Sequence, residues 1–282
     1  MKLTIGFSPC PNDTFIFDAL VNGRINTKGL QYEAVMEDVQ TLNEWAIEGK
    51  LDVTKISFGV LPLVLKHYLV MDSGSALGKG VGPLVIHKNK IPLLDINFCT
   101  IALPGENTTA HLLFAMACPD ATNKIFMRYD EIEDFVLQGE GSNHAGVIIH
   151  ENRFTYQEKG LHALLDLGNY WEEKTTSPIP LGGIVVKRTL EIGTQKEVEL
   201  QIRESILMAY MEYPRLSIFV KQHAREMSEH VMRSHIDLYV NEYSRSIGSV
   251  GQEAIIKLLN IHQKIYTGKE VKPDEVFLTA AN

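Results

Sequence analysis

The chain has 282 residues, 45% of them hydrophobic and 22% charged, enough to bury one large core or two modest ones. Its formal charge of −8 argues against nucleic acid as the main partner, because phosphate binding needs a surplus of Lys and Arg on one face. A few aimed donors still suffice to hold a small anion. No apolar run approaches the roughly 20 residues of a membrane span, and the first residues lack the apolar stretch of an export signal, so a soluble, cytoplasmic protein is expected.

Three cysteines, Cys10, Cys99 and Cys118, are odd in number and lack paired spacing, as in a reducing compartment. None has a Cys or His neighbour at zinc-ligand spacing, so no structural metal is expected. Cys10, between Pro9 and Pro11, reads as a small packed residue in a stiff loop rather than as a reactive thiol.

Along the chain, short β-rich runs alternate with helical patterns over the first two-thirds, which predicts α/β layers with mainly parallel strands. Leu3 to Phe7 is a predicted strand, and a helix starts at Asp13 or Thr14 and runs towards Gly23. Gln31 to Met36 is a second strand. Val39 to Gly49 is a helix with Gly49 as its C-cap, and Asp52 to Ser57 is a third strand followed by a helix through Leu61 and Leu65. The segments Gly80 to Lys88 and Pro180 to Arg188 share one grammar: glycine, an apolar run, then basic residues. Between them lie further strands, Thr100 to Leu103, Phe126 to Tyr129 and Ala145 to Ile149, and a helix from Ala110 to Cys118. From Gln195 onward the pattern is helical, with apolar stripes through Val198 to Ala209, Val231 to Val240 and Ala254 to Tyr266. The reading is two α/β lobes around a cleft: residues 1–88 and 182–282 form a large discontinuous lobe, and 89–181 a smaller inserted one. The two similar segments are the crossing strands, with glycines that tolerate a hinge.

Four strand ends carry polar residues suited to ligand binding, the place where open α/β lobes bind ligands. Ser8 to Thr14 is a proline-stiffened loop in which Asn12, Asp13 and Thr14 are N-cap types that also suit a cleft wall. Lys55, Ile56 and Ser57 end an apolar strand, where Lys55 either sits on the surface or offers a cation to a carboxylate beside the Ser57 hydroxyl. Thr108 and Thr109 open the helix after Gly105 and either cap it or hold an anion with hydroxyls and free N–H groups. His150 directly ends a buried-type strand, and an imidazole is basic enough near neutrality to remove a proton. A lone histidine is more often structural, and His223, His230 and His235 read as surface or packing residues. No Rossmann, P-loop, zinc-protease or nucleophile-elbow motif is present. The residues by themselves point to a protein that binds a small, carboxylated molecule.

At these same positions the sequence resembles the 1,4-dihydroxy-6-naphthoate synthases. The similarity lies in Gly6 to Phe15, Glu37-Asp38-Val39 with Leu42-Asn43, Thr54 to Ser57, Ala76 to Val85 and Ile148 to Tyr156. The resemblance implies a type II periplasmic-binding-protein-like fold and a carbon–carbon lyase of the futalosine route to menaquinone. Its substrate would be cyclic dehypoxanthine futalosine and its product 1,4-dihydroxy-6-naphthoate. It implies His150 as proton acceptor, with substrate contacts on Lys55, the main chain of Ile56, Ser57, Thr108 and Thr109, and no metal or redox cofactor. The loop Gly105-Glu106-Asn107 departs from the family pattern. The competing expectations are a non-catalytic cytoplasmic solute-binding or sensor protein of the same fold, and the related chorismate dehydratase activity. Oligomeric state carries no signal in the sequence.

Overall fold

The computed structural model describes residues 1–139, 143–224, 228–266 and 271–278. Eleven strands form two sheets among these residues: β1 (Lys2–Phe7), β2 (Gln31–Met36), β3 (Val53–Ser57), β4 (Tyr68–Val70), β5 (Ala76–Gly78), β6 (Leu84–His87), β7 (Thr100–Leu103), β8 (Lys124–Phe126), β9 (His144–Ile148), β10 (His162–Asp166) and β11 (Ile179–Lys187). The first sheet runs β2-β1-β3-β11-β4 with β5 beside β11, and the second runs β10-β6-β9-β7-β8.

Both sheets are mixed rather than mainly parallel. β1 lies parallel to β2 and β3, and β7 parallel to β8 and β9. The antiparallel members are the strands next to the crossings, β6 against β9 and β10, and β11 against β3, β4 and β5. A strand that enters a lobe from the other one arrives at the opposite end of the sheet, so its direction reverses.

The chain passes outward between β5 and β6 and returns between β10 and β11. β6, which a boundary after residue 88 leaves with the first lobe, therefore pairs in the second sheet. The return passage is the helix Leu167–Thr175 rather than a strand. The two passages touch at Gly82 and Gly168: a Cβ on Gly82 would stand 2.1 Å from the Gly168 nitrogen. Only residues without side chains allow that approach. Arg153 ties the passages together, donating to the carbonyls of Gly80 (3.0 Å) and Gly82 and to Asp166 Oδ2 (2.7 Å).

Helix boundaries differ from the sequence reading for local reasons. The first helix runs Pro11–Val21, two residues earlier than expected, because Pro11 occupies the first helical position, where its missing N–H costs nothing. Asp38 caps the helix Val39–Ile47 through Gln40 and Thr41 N–H, and Gly49 beyond it has φ +69°. The strand expected over Phe126 to Tyr129 is instead Lys124–Phe126, followed by a 3₁₀ turn at Tyr129–Glu131. The long helix Ile192–Glu212 buries Val198, Ile202 and Ile206 against Phe15, Ile16 and Phe17 of the first helix. The helix Glu229–Tyr239 adds Met232 and Ile236 to the same core. A second core joins Phe58 and Val60 of the first lobe to Ile101, Leu103 and Val147 of the second, so the lobes share packed surface on one side of the cleft.

Candidate active site

One cavity of about 730 Å³, its open mouth included, lies between the two sheets. That is within the usual range for a small-molecule site. The structure brings Asn12, Lys55, Ile56, Ser57, Thr108, Thr109 and His150 to its wall, together with Asp13 and Tyr239. The seven expected positions are separated by up to 138 residues in sequence but share one space because each lies at or just after the end of a strand that reaches the cleft.

Lys55 is not a surface lysine; it is 6% exposed. Its ammonium donates to the Gly74 carbonyl at 2.7 Å and pairs with Asp13 Oδ1 at 3.3 Å. Asp13 is itself fixed, accepting from Ser8 N–H (3.1 Å), the Ser8 hydroxyl (2.7 Å) and the Asn12 amide (2.8 Å). The sequence suggested helix capping for Asp13; the structure makes it the counter-ion of the site lysine. A buried charge is tolerable only when paired and hydrogen-bonded, and this one is both. The Asn12 amide oxygen, buried and without a partner among the described residues, is an acceptor waiting for a donor.

Ser57 is held by Asn43, whose amide oxygen accepts from Ser57 N–H at 2.9 Å and whose amide nitrogen donates to the Ser57 hydroxyl at 3.2 Å. The same nitrogen reaches the Asn107 carbonyl at 3.0 Å, so Asn43 links the end of β3 to the loop before the helix Thr109–Ala117. Asn43 lies mid-helix, and only the three-dimensional arrangement reveals its part.

The threonines divide their work differently from the expectation that both hydroxyls meet an anion. Thr108 caps its helix, accepting from His111 N–H at 3.2 Å and donating to the Gly105 carbonyl at 2.9 Å. Thr109 donates to the Leu181 carbonyl of β11 at 2.6 Å and accepts from Gly59 N–H at 2.9 Å, bridging the two lobes. Both hydroxyl protons are thus committed within the protein. The donors left for an anion are the backbone N–H groups of the first helical turn, which have no intrahelical acceptor.

His150 follows β9 with φ +57°, a left-handed conformation uncommon for a residue with a Cβ. Its ring lies edge-on to Tyr129 at 5.0 Å between centroids and stacks on His235 at 5.9 Å. Among the described residues neither ring nitrogen of His150 has a hydrogen-bond partner. Burial pushes its pKa below the ordinary imidazole value; Glu151 and Asp13 oppose this, and Lys55 reinforces it. The result is a neutral ring with a free lone pair.

His235, read as a surface or packing residue, is packed inside, but its polar atoms stand out. It is fully buried, with neither nitrogen hydrogen-bonded, and burial followed by His150 holds its pKa well below the ordinary value. Cys10 is packed, as expected, and burial raises its thiol pKa well above normal, with Glu151 next and hydrogen bonds from Ser8 and Tyr129 opposing. Among the described residues no helix is long and apolar enough to cross a membrane.

The fold is that of the periplasmic binding proteins: the alkanesulfonate-binding protein SsuA of Xanthomonas axonopodis pv. citri superposes with a TM-score of 0.71 over 98% of both chains at 12% identity. A solved protein of Archaeoglobus fulgidus is nearer, with a TM-score of 0.87, 31% identity, and 94% of this chain and 98% of that chain covered. The 1,4-dihydroxy-6-naphthoate synthase of Thermus thermophilus is 42% identical over 91% of this chain and 92% of its own. That of Streptomyces coelicolor is 40% identical over 91% of each. A family model described as menaquinone biosynthesis matches residues 3–264, and the chain belongs to that family.

Proposed function

We propose that the protein is a carbon–carbon lyase that converts cyclic dehypoxanthine futalosine to 1,4-dihydroxy-6-naphthoate, with His150 as the proton acceptor. The observation that carries this reading is the neutral, unbonded imidazole of His150 on the wall of a cavity that also presents a buried lysine and a helix N-terminus. The names of the Thermus and Streptomyces relatives support the same product.

The residues divide the chemistry among themselves. The substrate carboxylate lies at the first turn of the helix Thr109–Ala117, where free N–H groups and the helix dipole favour an anion. His150 takes a proton from the substrate, the bond to the sugar-derived fragment breaks, and the electron pair passes to a carbonyl oxygen as an enolate. Lys55, held by Asp13, and the Ser57 hydroxyl lie on the wall where that oxygen gains charge. Aromatisation of the remaining ring drives the cleavage, with no redox step. The two lobes, one built on the first sheet and one on the second, close on the substrate and exclude water from the anion. The setting is cytoplasmic, and the ligand is a small carboxylated molecule rather than nucleic acid.

A non-catalytic binding protein of this fold would need the donors but has no use for a neutral histidine without a partner. The deciding assay is purified protein with cyclic dehypoxanthine futalosine, followed by naphthoate absorbance without added cofactor. No product at any enzyme concentration would overturn the reading; turnover of chorismate instead would assign the related dehydratase activity.

A further inference from the structure

Cys10, His150 and His235 come from three distant parts of the chain and meet beside the cavity. One ligand atom from each, the Cys10 sulfur and a ring nitrogen from each histidine, lies within 4.8 Å of the other two. The reaction outlined above uses neither Cys10 nor His235. Yet His235 is fully buried with both nitrogens unpartnered among the described residues, its ring stacked on His150 and tilted against Tyr239. Buried polar groups without a partner are rare enough to require an explanation, and ion binding is one. Among the described residues a buried carboxylate oxygen of Glu151 also has no partner, and Glu151 and Asp13 act on His150 as negative neighbours, against the larger effect of burial and the positive charge of Lys55.

We propose that Cys10, His150 and His235 bind a thiophilic divalent cation of the zinc class, and that the bound cation takes the lone pair His150 needs and stops turnover. The inhibitory half rests on His150 as proton acceptor; the binding half does not. Two imidazoles and a thiolate suit zinc, whereas magnesium and calcium take oxygen ligands. Zinc bonds of about 2.3 Å to sulfur and about 2.0–2.1 Å to nitrogen set tetrahedral ligand atoms about 3.3–3.7 Å apart. Three atoms within 4.8 Å reach that geometry by side-chain movements of about 1 Å. On binding, the Cys10 thiol loses its proton to solvent and the sulfur–metal bond forms with no change of oxidation state. Both imidazoles donate as neutral ligands, and Ser8 and Tyr129 stay as outer partners of the sulfur.

The test is titration of metal-free protein with Co²⁺, followed by absorption spectroscopy, beside turnover measured in rising Zn²⁺. Wild type should take up one equivalent with tetrahedral visible bands and a thiolate-to-cobalt charge-transfer band, and should lose turnover as zinc fills the site. Cys10→Ser should lose the charge-transfer band, and His235→Gln should bind more than about tenfold more weakly, since losing even an outer partner costs that much. Both variants should keep their metal-free turnover when zinc is added, with circular dichroism to show that each is folded. An octahedral spectrum without a sulfur band, or a Cys10→Ser titration matching wild type, would overturn the site. Cobalt bound through Cys10 with turnover undiminished would keep the site and remove His150 as the base.

Discussion

The wall of the cavity built on β3 and the wall built at the end of β9 face each other, and they differ in how fully their polar groups are satisfied. On the first, Lys55, Asp13 and Ser8 form one network and Ser57 with Asn43 another, and each charge has a partner within 3.3 Å. At the second, His150 and His235, which the helix Glu229–Tyr239 brings against it from the first lobe, carry four ring nitrogens without a hydrogen bond among the described residues. The first wall is rigid before any ligand arrives, which lets it present charge without reorganising. The second keeps lone pairs free in a buried setting, a costly arrangement that only proton transfer or coordination puts to use. Rigidity and reactivity are thus assigned to separate parts of the site.

Substitutions on the two walls should therefore separate activity from stability. The largest effect is expected at His150: His150→Asn should lower turnover by about 10²–10⁴ while changing substrate affinity and thermal stability little. Turnover above about a tenth of wild type would move the base to another group, with Asp38 the next suspect. The opposite pattern is expected at Asp13. Asp13→Asn leaves the buried Lys55 charge without its counter-ion and should cost about 3–5 kcal/mol of stability by urea denaturation. A near-normal denaturation midpoint there would mean that the first wall is less closed than its distances indicate.

The seam between the walls offers a smaller effect. A Cβ on Gly59 would stand 2.6 Å from the Thr108 carbonyl carbon and oxygen and 2.7 Å from Thr109 N. These are backbone atoms that no side-chain rotation can move aside. Gly59→Ala should cost about 1–3 kcal/mol as overpacking, and should raise the Michaelis constant by displacing the helix N-terminus. Thr109→Val, which removes the bridge from Gly59 to Leu181, should act in the same direction by about 1–3 kcal/mol. Unchanged constants in both variants would detach this helix end from substrate binding.

The asymmetry also explains what the sequence disclosed. Strand ends are local features, and Lys55, Thr108 and His150 each stand where a β-rich run gives way to polar residues, so the positions were legible without coordinates. Partners were not. The pairing of Lys55 with Asp13, the double hold of Asn43, and the use of both threonine hydroxyls within the protein depend on contacts between residues far apart in the chain. His235 lies on a helix whose apolar stripe reads as plain packing, and nothing within a few residues of Cys10 signals a histidine. The crossing of Gly82 and Gly168 was half visible, since the grammar of Gly80 to Lys88 marked the outgoing passage and the helical return carried no comparable sign.

The smallest effect is expected where a satisfied network lies outside the cavity, and it tests whether closure alone, wherever it occurs, is purely structural. Asp52, just ahead of β3, accepts from the backbone and hydroxyl of Thr4 at 2.9 Å each and pairs with Lys187 of β11 at 3.3 Å. Burial tends to raise its pKa, but the Thr4 hydrogen bonds and Lys187 outweigh it, and the net displacement is downward. A carboxyl group whose folded pKa lies below its unfolded value stabilises the fold above the unfolded pKa and loses that contribution as pH falls through the folded one. Asp52→Asn should therefore be less stable than wild type near neutrality by about 0.5–1.5 kcal/mol, and the two proteins should converge as pH drops below about 4. Denaturation midpoints at several pH values measure the gap, and turnover should stay at the wild-type level throughout the range where both are folded. A gap that stays constant into acid would assign the Asp52 contribution to geometry rather than charge; lost turnover at neutral pH would mean that the register of β1, β3 and β11 is transmitted to Lys55, and the division between the two walls would not hold.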